Sequence, residues 1–134
     1  MLKNIILFSF LLVGFSANAA VNDDVKASTA IGLKTIESEK NACFNAAKSS
    51  GESSGCLEEA IQRKQVLLDA LTDIRATRAK GDPKLLLNIF NDQHIFNLLK
   101  EDCKKLLKLS HPNSSFYFQY QCELNAQDMY FKYL

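Results

Sequence analysis

Four cysteines in a chain of 134 residues constrain this sequence more than any other feature: Cys43, Cys56, Cys103 and Cys122, separated by 13, 47 and 19 residues. An even number of cysteines in a small chain reads as a disulfide framework if the chain matures where thiols are oxidised. Zinc is the competing use, but structural zinc sites draw on closely spaced ligand pairs, and none of these gaps is short enough. No CxxC is present, which argues against thioredoxin-type redox chemistry.

The N-terminus supplies the oxidising compartment. Lys3 is followed by an apolar run from Ile5 to Phe15, interrupted only by Ser9 and Gly14, and then by Ser16-Ala17-Asn18-Ala19. This order of a positive start, a short apolar stretch and small residues is that of a cleavable secretory signal. Residues 1–19 are therefore expected to be removed near Ala19, and the mature protein to be periplasmic or secreted. The apolar run is shorter than the ~20 residues a membrane-spanning helix needs, so stable membrane insertion is not expected. Only Lys3 precedes residue 20, which leaves 15 basic and 15 acidic residues in balance. A neutral chain is poorly suited to nucleic acid, whose binding depends on neutralising phosphates. The charge is unevenly placed: residues 20–59 hold seven acids and four lysines, whereas residues 60–110 hold ten basic residues and six acids.

Apolar residues recur at helical spacing in four stretches. The first is expected over about Asp23 to Lys48, with Ala30, Leu33, Ile36, Cys43, Phe44 and Ala47 on its stripe. Ser49–Gly55 reads as a loop. The second helix is expected to start near Cys56, with Glu58 and Glu59 at its positive end, and to carry Leu57, Ile61, Leu67/Leu68, Leu71 and Ile74 on its stripe. Gly81-Asp82-Pro83 should stop it, with Pro83 in the first turn of the next helix. The third carries Leu86, Phe90, Phe96, Leu99, Cys103, Leu106 and Leu107, ending at His111-Pro112-Asn113. Ser114 or Ser115 can cap a fourth helix with Tyr120, Leu124, Phe131 and Leu134 on its apolar face. In antiparallel hairpins built this way, Cys103 and Cys122 fall at nearly equal depth from their turn, and Cys43 and Cys56 flank the Ser/Gly loop likewise. The expected fold is all-α: a small bundle of antiparallel helical hairpins with two local disulfides, Cys43–Cys56 and Cys103–Cys122.

Catalytic patterns are scarce. His94 lies beside Asp92 and Gln93, and His111 in a Pro-bearing loop, neither with a nucleophile or metal partner at a telling spacing. No GxSxG, HExxH or phosphate-binding glycine loop occurs. The paired acids Asp23/Asp24, Glu58/Glu59 and Glu101/Asp102 are adjacent, so helical geometry turns them to different sides. Lys100, Lys104 and Lys108 suit a helix C-terminus. Asn113-Ser114-Ser115 has the form of a glycosylation sequon. No enzyme activity, metal or cofactor is expected. The final stretch is rich in rings, with Phe116, Tyr117, Phe118, Tyr120, Tyr130, Phe131 and Tyr133. Rings on opposite sides of one helix cannot all enter one core, so some should remain for a homodimer contact or a binding patch.

From Cys43 onward the spacing resembles the LprI-like lysozyme-inhibitor domain family of small exported bacterial proteins. Cys43 and Cys56 match its opening pair, and Cys56-Leu57-Glu58-Glu59-Ala60 matches its helix start. Gln93 and Phe96 precede Cys103 as in the family, and Cys122 with Leu134 matches its close. Two departures are Ile95 and Phe96 where the family often has Trp, and Leu99-Lys100 where it has an Arg-Asp pair. The resemblance divides the chain into a signal peptide (1–19), an N-terminal helical extension (20–42) and an LprI-like helical domain (43–134), and it supports the same two disulfides. It implies an exported binding protein whose partner is a lysozyme or another wall-degrading enzyme. Glu52 in the Ser49–Gly55 loop, with Glu58 and Glu59, is the candidate contact set, since loops on rigid scaffolds commonly carry function. The alternative is an envelope structural or adaptor protein, or an immunity protein, without lysozyme activity.

Overall fold

A computed structural model describes residues 23–105 and 115–133, and these form four helices with no strand: α1 (Asp23–Ala46), α2 (Ser50–Arg78), α3 (Pro83–Lys105) and α4 (Ser115–Tyr133). The chain is all-α, and the disulfides are Cys43–Cys56 and Cys103–Cys122, with Cα–Cα distances of 5.7 and 5.5 Å. Each bridge joins consecutive helices of an antiparallel hairpin. In the chain-entropy account, loops of this length give each bridge about 3 kcal/mol by restricting the unfolded state.

α2 and α4 form the centre of the bundle. They run parallel, as Gln127 meets Ile61 and Lys64 meets Asp128 at nearly the same offset. That register puts Cys56 level with Cys122, so both staples secure the same end of the molecule. α1 packs against α2, α3 packs mainly against α4, and α3 meets α2 more sparsely. The burial pattern of α2 explains its central position. Leu57, Ala60, Lys64, Leu68 and Leu71 are all buried, three or four residues apart, which gives one continuous seam. Leu57, Ala60 and Leu124 pack with Ile36 of α1 at the stapled end, and Leu68 packs with Phe96, Ala126 and Tyr130 toward the other. At Gly32 a Cβ would come within 3.2 Å of Leu67 Cδ1, so the bare backbone lets α1 sit close to α2.

Two expectations need correction. The Ser49–Gly55 loop is mostly helix: α2 begins at Ser50, leaving Ala47–Ser49 as the connection. Ser49 is the N-cap, its Oγ accepting from the Glu52 amide at 3.2 Å, while Glu52 Oε2 accepts from the Lys48 amide at 2.6 Å. The Ser49 bond satisfies one of the amides that a helix start leaves without a partner, and the Glu52 bond ties the connecting residue Lys48 to the first turn. Hence Glu52, not Glu58 or Glu59, lies in the first turn of α2. On α3, Leu86 and Phe90 were expected in the core, yet they are 41% and 67% exposed. The buried positions are Ile89, Phe96 and Cys103, seven apart, which repeat along the side of α3 that faces α4.

The α2–α3 corner forms as expected. Gly81 has φ +90°, a conformation glycine adopts without a side-chain clash. Asp82 Oδ1 accepts from the Lys84 and Leu85 amides at 3.0 and 3.2 Å, and Pro83 is the first residue of α3. Residues 1–19, the His111-Pro112-Asn113 turn, Ser114, Lys108 and Leu134 lie outside the described residues. No helix among the described residues is long and apolar enough to cross a membrane.

Candidate functional site

The rings of α4 divide by depth. Tyr130 is buried and stacks on Phe96 at 5.0 Å between centroids, while Tyr120 and Phe131 are half-buried. Phe116, Tyr117 and Phe118, in the first turns of α4, remain exposed. They form a connected ledge: Tyr117 meets Phe118 edge to face at 5.8 Å and Phe44 of α1 at 6.4 Å, and Phe116 leans on Tyr120 at 6.0 Å. Such contacts orient the rings.

Opposite the ledge runs the N-terminal part of α2. Gly51, Ser54, Gly55 and Glu58 recur at three- and four-residue steps along one side, where the lack of bulk opens a groove of about 450 Å³. Glu58, exposed, and Tyr120, half-buried, both line it. Burial pushes the Tyr120 phenol up from its usual range, and the negative charges of Glu58 and Glu123 push it the same way. The groove is thus aromatic on its α4 side, and small, hydroxylated and acidic on its α2 side. Its polar lining consists of Ser50, Ser54, Glu58 and the Tyr117 and Tyr120 phenols.

The three candidate acids do not converge. Glu58 faces the aromatic groove. Glu52 and Glu59 are seven residues apart on a different side of α2. Glu52 is used in capping, and Glu59 borders a second depression beside the Cys43–Cys56 bridge, where Arg63 pairs with Glu39. His94 is exposed on α3, and Asp92 is drawn away from it into an ion pair with Arg75 at 3.2 Å. Lys100 Nζ sits 4.8 Å above the Phe96 ring, and Lys104 pairs with Glu101 at 2.7 Å, so both lysines act within or beside α3. Among the described residues, no three His, Cys, Asp or Glu side chains gather where they could hold a metal ion.

Of the three buried polar residues Lys64, Gln119 and Gln127, none of them among the sequence-derived candidates, two join helices. Lys64 is 3% exposed and reaches Asp128 Oδ1 at 2.7 Å; Gln127 is fully buried and donates from Nε2 to the Ile61 carbonyl at 2.9 Å. Both tie α2 to α4. The signal was available: Lys64 falls on the seam between Leu57 and Leu71, and Gln127 follows Leu124 by three.

No protein-family model, curated protein or solved structure matches this chain. The likeness to LprI-like domains therefore rests on cysteine spacing and helix order alone.

Proposed function

We propose that the chain is an exported binding protein that inhibits a lysozyme or a related wall-degrading enzyme, with the aromatic ledge and its acidic groove as the contact surface. The observation that carries this reading is the ledge itself. Three adjacent exposed rings are held by Phe44 and Tyr120 at the end of the bundle that both disulfides secure. Exposed aromatic anchors on a rigid support are the residues that most often dominate a protein interface, because little conformational freedom is lost when they are covered. Disulfides persist where thiols are oxidised, which fits the export read from residues 1–19. Glu58 gives the groove a negative charge complementary to the basic surface typical of lysozymes. The cysteine spacing shared with LprI-like domains supports the same target.

Titration calorimetry of a purified lysozyme against the oxidised protein tests the contact surface. Binding should be lost when Phe118→Asp is combined with Glu58→Ala, and retained in Glu59→Ala. Equal affinity for the wild type and the double variant would refute the assignment of the ledge.

A further inference from the structure

α3 is apolar on both sides. Its inner side buries Ile89, Phe96 and Cys103, while Leu87, Phe90, Ile95 and Leu98 on its outer side are 58, 67, 57 and 53% exposed. A peripheral helix with one buried stripe normally presents polar residues to water, so a second stripe of this size calls for a partner.

The order of residues along the outer side indicates which partner. Lys84, Leu87, Asn91, His94, Leu98 and Glu101 follow one another at steps of 3, 4, 3, 4 and 3 residues, and all six are exposed. These steps define a seam for helix pairing. The seam is also palindromic about a point between Asp92 and Gln93. When a second copy of α3 is laid antiparallel across that point, Leu87 meets Leu98, Asn91 meets His94 and Lys84 meets Glu101, each pair occurring twice. A cation then faces an anion at both ends, a leucine faces a leucine inside them, and two side chains able to hydrogen-bond meet at the centre. Phe90 and Ile95 flank the seam on either side. A surface must be complementary to itself to form a twofold contact, and this one is complementary in charge, bulk and hydrogen-bonding character. A parallel copy would instead place Lys84 on Lys84 and Glu101 on Glu101.

We infer that the outer face of α3 is a homodimer interface, with the two α3 helices antiparallel about a twofold axis near Asp92 and Gln93. The aromatic ledge is on α4 and stays free in such a dimer, so this inference stands apart from the proposed inhibition.

Sedimentation equilibrium of the full-length expressed, exported and oxidised protein tests it, with circular dichroism and disulfide mapping as controls on folding. The wild type should sediment at twice the chain mass. Leu87→Asp with Leu98→Asp should give a monomer of unchanged helicity with both disulfides intact. Lys84→Glu should weaken the dimer, and adding Glu101→Lys should restore it, whereas Phe118→Asp should leave it dimeric. A wild-type monomer at the highest concentration reached would overturn the inference, whatever else that face then binds. So would a dimer indifferent to the Leu87/Leu98 pair, or one dissociated by Phe118→Asp.

Discussion

Lys64 shows how a single side chain can bind two helices in this bundle. Its stem crosses the seam between α2 and α4, and its ammonium ends on Asp128, whose side chain is 52% exposed. Removing the carboxylate leaves a buried charge short of its partner, while replacing the lysine with an apolar chain of similar length removes the charge itself. Asp128→Ala should therefore cost about 1–3 kcal/mol, the half-exposed partner keeping the loss below that of a fully buried pair, and Lys64→Met should cost less. Urea titrations of the two variants check the order; a larger loss in Lys64→Met would show that the ion pair is itself a net source of stability. Tyr130 offers a pH test. Burial against Phe96 and Leu68 raises its phenol above the usual value, with Thr72 and Arg75 partly offsetting the effect. The folded chain thus keeps this proton to higher pH than the unfolded chain does. The resulting contribution is complete below about pH 10 and is lost as pH climbs toward the folded value. Stability should fall with rising pH above about 10, and less steeply in Tyr130→Phe. Parallel slopes for variant and wild type would assign the alkaline loss to other groups.

At the level of the helices, the start of α2 is held by local hydrogen bonds rather than by buried bulk. Ser49→Ala removes the acceptor for the Glu52 amide and should cost about 1 kcal/mol, read as a lower urea midpoint with an unchanged slope. A loss below about 0.3 kcal/mol would mean that the Cys43–Cys56 bridge alone fixes this turn. The same segment shows where the sequence is hard to read. Serine and glycine in Ser49–Gly55 have weak helix propensity, so the stretch resembles a loop. The cap, the bridge about two turns on and the packing of Leu57 nevertheless make it helical. The Gly81-Asp82-Pro83 corner was legible because each residue answers a specific backbone need. The disulfide pairing was legible because hairpins match depth across a turn. On α3, by contrast, periodicity alone could not tell the inner stripe from the outer one, since both are apolar. Leu86 and Phe90 were misplaced for that reason. Of the site, the exposed rings of α4 could be foreseen from their crowding on one helix. The groove depended on α2 and α4 running parallel, which no local pattern specifies.

For the molecule as a whole, the two disulfides and the parallel α2–α4 pair concentrate rigidity at one end, and that end carries the exposed rings. The opposite end is closed by the Gly81 corner and the Arg75–Asp92 pair. The third surface, the outer face of α3, is separate from both. A bundle so arranged can dimerise through one side and present an aromatic ledge from each copy. The most direct test of the proposed function is the rate at which a lysozyme clears a bacterial cell suspension, followed by turbidity, with the oxidised protein added. Lysis should slow in proportion to added protein and return to the uninhibited rate when Phe118→Asp with Glu58→Ala replaces the wild type. An unchanged lysis rate at large molar excess, with both disulfides intact, would contradict inhibition of that enzyme.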